Sequence, residues 1–278
     1  MTPGKAEAAE DDFPAKTVIV GSGGRMGGML LHKASGAGLE VCGVDQPLAD
    51  DALAIACRGA ALLLICVPAR HLESVILRVR AHMPSGCVLG DITSVKEQPM
   101  RQMERHWPGP VVGTHPLFGP NNAPGDDLPV ALTAGRRAGE REIGMARNFF
   151  EAWGCRVFSC TPEEHDRAMA KIQNLNFITS VAYFAALAGQ KELLPFLTPS
   201  FERRKAAAAK MLNEDADMFS GLVEANPHSH EAARQYGKLL NLAASGDIEL
   251  LCRRAQWWWE QDKGESRGDA PGPLPLRS

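Results

Sequence analysis

Residues 16–28 read KTVIVGSGGRMGG. Thr17, Val18, Ile19 and Val20 are β-favouring and run straight into Gly21, Ser22, Gly23, Gly24, Arg25, Met26 and Gly27, after which a helix-compatible run starts at Met29. A buried strand, a glycine turn and a helix start open a dinucleotide-binding βαβ unit. Glycine is wanted there because the backbone must turn sharply and approach a pyrophosphate closely. The helix N-terminus then adds free N–H groups and a positive dipole. The spacing departs from GxGxxG and reads GxxGxxG across Gly21, Gly24 and Gly27, a slightly longer turn with the same physics. A tight turn with no ligand is the plain alternative.

The next segments weigh against that alternative. Residues 39–44, LEVCGV, form a second predicted strand ending in Asp45, close to the offset of roughly 20 residues at which a carboxylate holds the ribose of NAD. A carboxylate repels a 2′-phosphate, so NAD is favoured over NADP. Strands follow at 61–67 and 87–91, and the third ends at Val67-Pro68, where proline opens a turn at the carboxyl edge. Ligands of parallel sheets bind at that edge.

Bulk properties exclude several classes. The chain has 278 residues, 45% of them hydrophobic, enough for one large domain or two smaller ones. Its net charge of −3 gives no reason to invoke nucleic acid or an anionic membrane. The longest apolar runs, such as AALLLICVP at 60–68, are too short to span a bilayer. The acidic opening MTPGKAEAAEDDFPAK has no apolar core and is not a signal peptide. Seven cysteines include no CxxC pair and none beside histidine at metal-ligand spacing, so no metal is expected and the thiols read as reduced and cytoplasmic.

Residues 1–15 and 263–278 are polar or rich in Pro and Gly, and are expected to be disordered. DITSVK, Asp91 to Lys96, follows the fourth strand, and Thr93 or Ser94 is placed to cap the next helix. A short strand at 110–113 then delivers THPLFGP, residues 114–120, whose prolines and Gly119 predict a rigid loop. His115 in that loop reads as a candidate for chemistry, or as a hydrogen-bonded structural histidine. Strands near 130–133 and 156–160 bracket a helix at 139–153. At Thr161 the pattern changes, because TPEE offers an N-cap, a proline at the first helical position and Glu164 three residues on.

From there the chain reads as helix: 162–189, 199–213, 215–224 and 229–259. A helix of ~30 residues is about 45 Å long, more than a small domain covers. Its apolar positions Met169, Ile172, Leu175, Ile178, Val181, Tyr183 and Leu187 imply packing against a second subunit, with an internal bundle as the alternative. The expected organisation is an α/β Rossmann-like domain with a mostly parallel sheet over 16–160, then an all-α substrate and dimerisation domain over 161–262.

VIVGSGGRMGG, the ICVP turn, DITSVK, GTHPLFGP, the EEHD run at Glu163 to Asp166 and the helical second half occur in an order that resembles the prephenate/arogenate dehydrogenase family of tyrosine biosynthesis. The similarity covers about 16–260, and the HPxFGP loop is its most specific part. The resemblance implies an NAD(P)-binding domain joined to a helical dimerisation domain with the active site between them. The absence of a segment resembling a chorismate mutase implies a monofunctional member. It implies NAD-dependent oxidative decarboxylation of prephenate: hydride leaves the carbinol carbon, the hydroxyl proton is removed, carbon dioxide departs and the ring becomes aromatic. His115 aligns with the catalytic histidine and must be neutral at pH 7 to accept that proton. Ser94 aligns with a serine that bonds the histidine or the substrate hydroxyl, and Lys96 is a nearby cation. Cofactor contacts fall on Gly21 to Gly27, Asp45, Val67 and Pro68, and substrate contacts on Ser94, Lys96, His115, Gln173, Asn176, Arg203 and Lys210.

The helical half departs from the family. QNLNF puts Asn176 and Phe177 where one branch has arginine and histidine, and Lys210 stands where an arginine grips the substrate carboxylate. Lysine keeps the charge and loses the bidentate fork. Arg203, two turns earlier on the same face, either shares the task or is solvated. Prephenate is therefore ranked first, arogenate second and 4-amino-4-deoxyprephenate third. A β-hydroxyacid dehydrogenase using Lys171 would leave the HPLFGP loop idle. A reading of a different class is an NAD-binding sensor or partner protein that has lost catalysis.

Overall fold

The computed structural model describes residues 16–123 and 125–264; the tails at 1–15 and 265–278, expected to be disordered, lie outside the described residues. β1 (Thr17–Val20) pairs in parallel with β2 (Val41–Val44) and β3 (Leu62–Ile65). β4 (Val88–Asp91) and β5 (Val111–Pro116) continue the parallel order. β6 (Pro129–Ala134) is antiparallel to β5, and β7 (Arg156–Ser159) is parallel to β6. The seven strands lie in the order β2-β1-β3-β4-β5-β6-β7. β3, LLLI, is apolar at every position because helices cover both faces of the sheet.

α1 (Arg25–Gly36) and α5 (Glu140–Glu151) cover one face, with Leu30, Ala34, Phe149 and Phe150 against Ile19, Leu62, Leu64 and Val112. α2 (Asp50–Cys57), α3 (Ala69–Val79) and α4 (Glu97–His106) cover the other, where Leu53, Leu72, Ile76 and Met103 meet Val18, Val20, Leu63 and Leu89. α1 begins at Arg25, not at the expected Met29. Its first turns contain Gly27 because a side chain there would collide with the Gly21 carbonyl, so the helix packs directly on the glycine turn. β5 likewise runs past its expected end at Gly113. Thr114, His115 and Pro116 pair with Leu132, Ala131 and Val130, which puts His115 in a strand and not in the loop.

The change at Thr161 occurs as expected: Thr161 Oγ1 accepts the Glu164 N–H at 3.1 Å, and Glu164 returns a carboxylate to the Thr161 N–H at 2.8 Å. This box starts α6 (Pro162–Met169), which passes through a π-helical segment, Ala170–Asn174, into α7 (Leu175–Ala186). The helix predicted over 162–189 is therefore interrupted and ends three residues early, ahead of Gly189 at φ +81°. α8 (Pro199–Asn213) and α9 (Ala216–Ala225) follow. The helix predicted over 229–259 is three: α10 (Ser229–Ala244), α11 (Ile248–Ala255) and α12 (Trp257–Gly264), the first break falling at Gly246, φ +96°.

The chain divides into two compact units between Ser229 and His230. α6 to α9 stay in the unit that holds the sheet, because polar contacts from Asp166 and Asp215 tie them to it. In the second unit Trp257 and Trp258 pack edge to face at 4.8 Å, and Trp257, Trp258 and Trp259 are exposed, so they are not core residues. No helix among the described residues is long and apolar enough to cross a membrane.

Candidate active site

The glycine turn keeps the shape its sequence demands. Gly21 has φ +86°, and a Cβ there would meet the Cys66 carbonyl oxygen at 2.6 Å and Val67 Cγ1 at 3.2 Å. The turn is thus pressed against the end of β3. Asp45, at the end of β2, accepts a hydrogen bond from the Gly23 N–H, so the predicted ribose-binding carboxylate stands beside the turn. α1 has Gly24 at its N-cap, no side-chain cap and no acidic residue in its first turn. A helix start with no side-chain cap and no acidic residue of its own attracts an anion. Arg25 turns away to Asp215 at 2.9 Å, and Pro68 is the N-cap of α3.

A second set of residues gathers at the carboxyl edge around β4 and β5. His115, only 4% exposed, has Nδ1 2.8 Å from Nε2 of His165, and His165 Nδ1 is 2.7 Å from Asp166 Oδ1. The Lys96 N–H donates to Asp166 Oδ1 at 2.7 Å and the Glu97 N–H to Oδ2 at 2.9 Å. Asp166 therefore caps α4 from another helix, in place of the expected Thr93 or Ser94. Thr93 instead donates to Asp91 through its N–H at 2.9 Å, and its hydroxyl bonds the same carboxylate oxygen.

The direction of these bonds fixes the protons. Burial disfavours ionisation of Asp166, but bonds from His165, the Glu97 N–H and the Lys96 N–H outweigh it and hold the carboxyl below the ordinary aspartate range. An ionised carboxylate only accepts, so His165 Nδ1 carries the proton. His165 Nε2 then accepts from His115 Nδ1–H, which leaves Nε2 of His115 as the lone-pair atom. Burial first, then His165 and the Lys96 charge, push the His115 pKa well below its usual value. Burial also lowers that of His165, against the opposing pull of Asp166. His115 is a neutral imidazole with a basic Nε2.

The other predicted residues are placed as follows. Ser94 is half-buried in the loop between β4 and α4, while the Nδ1 partner of His115 is His165. Lys96 departs from expectation: it is 0% exposed and its Nζ sits 2.6 Å from Asp91 Oδ2, an enclosed ion pair and not an open anchor. Burial lowers its pKa, with Asp91 opposing. Gln173 lies in the π-helical segment with a buried, unpartnered Oε1, and Asn176 is exposed. Phe177 is buried and stacks on Phe219 at 5.4 Å. Arg203 bonds Ser200 Oγ at 3.0 Å, and Lys210 Nζ lies 4.0 Å from Asp215; both cations are exposed on α8.

His165 and Asp166 are the functional residues that sequence reasoning missed. They lie inside the quoted EEHD run, and the available signal was a histidine–aspartate pair near the start of a strongly capped helix.

Comparison with known proteins bears on the fold and the family. Residues 33–159 match the family model described as prephenate dehydrogenase, nucleotide-binding domain. The T-protein of Enterobacter agglomerans is 27% identical over 261 residues, covering 88% of this chain and 68% of that protein. A probable arogenate/prephenate dehydrogenase of Methanocaldococcus jannaschii is 30% identical over 177 residues, 61% of this chain; the match spans 40% of that protein's length. The crystal structure of prephenate dehydrogenase from A. aeolicus, in complex with hydroxyphenyl propionate and NAD+, shares the fold with a TM-score of 0.73 at 16% identity, over 91% of this chain and 99% of that one.

Proposed function

We propose that the chain is a member of the prephenate/arogenate dehydrogenase family, whose nucleotide-binding-domain model it matches over residues 33–159, and that it converts prephenate to 4-hydroxyphenylpyruvate by NAD-dependent oxidative decarboxylation. The observation that carries this reading is the relay from Asp166 through His165 to His115, which leaves a neutral imidazole with an unprotonated Nε2.

The residues present suit a dinucleotide. Gly21 and Gly27 leave no room for side chains, the first turn of α1 has no acidic residue of its own, and Asp45 stands where a ribose diol would be held. When bound, the nicotinamide supplies the two-electron acceptor for the carbinol hydrogen. His115 Nε2 takes the hydroxyl proton. As His115 gains positive charge its Nδ1–H bond to His165 strengthens, and Asp166 stabilises that charge through His165 Nδ1–H. Aromatisation drives loss of carbon dioxide, so the protein supplies mainly a base, orientation and cationic anchors. Lys210 and Arg203 on α8 are the cations open to a substrate carboxylate, and Ser94 lies in the loop that leads into α4. The same reading makes the chain a homodimer through its helical half, for which the exposed Ile172, Leu194 and Phe196 supply an apolar face.

Purified protein given prephenate and NAD should produce absorbance at 340 nm. His115→Asn should lower kcat by about 10²- to 10⁴-fold, and a loss below about tenfold would remove His115 as the base. Arogenate is the second reading, kept open by Lys210 standing in place of a forked arginine. Comparing kcat/KM for prephenate, arogenate and the 4-amino analogue, with NAD and with NADP, ranks the substrates and the cofactors. Binding of NAD without turnover of any of the three acids would favour the non-catalytic sensor.

A further inference from the structure

Asp166 is held by more than the start of α4. Its backbone carbonyl accepts Asn226 Nδ2–H at 2.8 Å. Asn226 Oδ1 accepts the His228 N–H at 2.9 Å. His228 Nε2 reaches Glu97 Oε1 at 2.8 Å, and the Glu97 N–H returns to Asp166 Oδ2 at 2.9 Å. Four residues from α6, α4 and the turn between α9 and α10 thus close a ring of hydrogen bonds on one aspartate.

The ring does more than build its own turn. The Oδ1 bond from Asn226 to the His228 N–H is an ordinary Asx turn, and it would satisfy a surface loop by itself. Asn226 is only 1% exposed, and its amide hydrogen leaves the turn for the carbonyl of the residue that orients His165. The next residue but one, His228, leaves the turn on the other side for the carboxylate of Glu97, whose N–H holds Asp166. Ser229, fully buried, is bound by Asn174 Nδ2 at 2.9 Å from the π-helical segment that follows α6. A buried amide with its donor and its acceptor both directed to fixed partners positions what it touches.

We infer that Asn226 and His228 are positioning residues for the reaction, holding the backbone and the carboxylate of Asp166 in the register that orients His165 and, through it, His115. The inference rests on the proposed dehydrogenase function for its kinetic consequence; its spectroscopic consequence does not depend on that function. Neither residue touches His115, and both act through Asp166.

The test compares wild type, Asn226→Ala, His228→Ala and His228→Gln by thermal unfolding, by kcat and KM for prephenate with NAD, and by histidine side-chain NMR. The informative resonance is the His165 Nδ1 proton bound to Asp166. Asn226→Ala and His228→Ala should lower kcat about 10- to 100-fold with KM within about twofold, as expected when a catalytic group is misplaced and substrate binding is kept. The His165 resonance should shift or broaden in both. His228→Gln, whose amide can still donate to Glu97, should recover most of kcat and the wild-type resonance. Unchanged kcat with an unshifted resonance in both alanine variants overturns the inference. So does a loss shared equally by His228→Gln and His228→Ala that tracks a lower melting temperature, because the role would then be structural alone. If wild type turns over no cyclohexadienyl acid the dehydrogenase reading fails, and the resonance still decides the ring: a shift sustains it and no shift removes it.

Discussion

What His115 can do is set by which of its nitrogens carries the proton, and that choice is made by Asp166, a carboxylate it does not touch. Because burial, His165 and Lys96 lower its pKa well below the ordinary 6.5, His115 remains a competent base in solutions that protonate an exposed imidazole. The acid limb of kcat/KM against pH should therefore lie below 6.5, with the profile flat from there to neutrality. An acid limb at or above 6.5 would show that the imidazole is not buried as described. Folding stability carries the same sign. Between the unfolded and the lowered folded pKa the unfolded chain binds more protons, so stability is full above about 6.5 and falls as the pH drops below it. His165, also lowered, adds to that slope, and urea midpoints from pH 8 to 5 would measure it. At this scale the sequence was half legible. His115 stood out because prolines and glycine frame it, whereas His165 and Asp166 did not. A histidine–aspartate pair on a helix is common, and its partners at Lys96, Glu97 and His115 are set by tertiary folding.

Among the elements, α6 carries both relay residues in its first turns, so under the proposed function its N-terminal cap serves the site as well as the fold. Thr161→Ala removes the oxygen that accepts the Glu164 N–H and should cost about 1 kcal/mol, a drop in melting temperature of about 2–4 °C for a unit of this size. It should also lower kcat, because fraying the first turn loosens His165. Thr161→Ser should keep both properties, and an alanine variant that melts early yet keeps full kcat would separate the cap from the relay. The capping box was readable because its chemistry is local: threonine, proline and glutamate at fixed offsets. Buried strands such as β1 and β3 were readable for a similar reason, since a strand covered on both faces must be apolar and short. The start of α1 was not, because Gly24, Gly27 and Gly28 are poor helix formers, placed there by the closeness of the Gly21 and Ser22 carbonyls and not by propensity. Nor was the π-helical segment at 170–174, which has no sequence signature of its own.

Within the larger compact unit, the glycine turn and α8 meet at a single carboxylate. Asp215 receives Arg25 Nη2 at 2.9 Å and lies 4.0 Å from Lys210 Nζ, so one anion is shared by a cation beside the dinucleotide turn and a cation proposed to face the substrate. The Asp215 side chain is 10% exposed and that of Arg25 63%, a geometry in which an ion pair contributes little to stability and is screened by salt. Its effect on ligands is larger in relative terms, because Asp215 neutralises positive charge next to a helix start suited to a pyrophosphate. Asp215→Asn should therefore tighten NAD binding by about two- to fivefold at low ionic strength, the equivalent of one exposed ion pair. Arg25→Gln should weaken it by a similar factor, and added salt should shrink both changes. The same Asp215→Asn variant should lower KM for the dicarboxylic substrate, since Lys210 loses its competing anion. Calorimetric NAD titrations of the two variants at two salt concentrations check the sign directly. Weaker NAD binding in Asp215→Asn would mean that the carboxylate orients Arg25 toward the cofactor instead of holding it away, and the pair would then belong to the cofactor site as a unit.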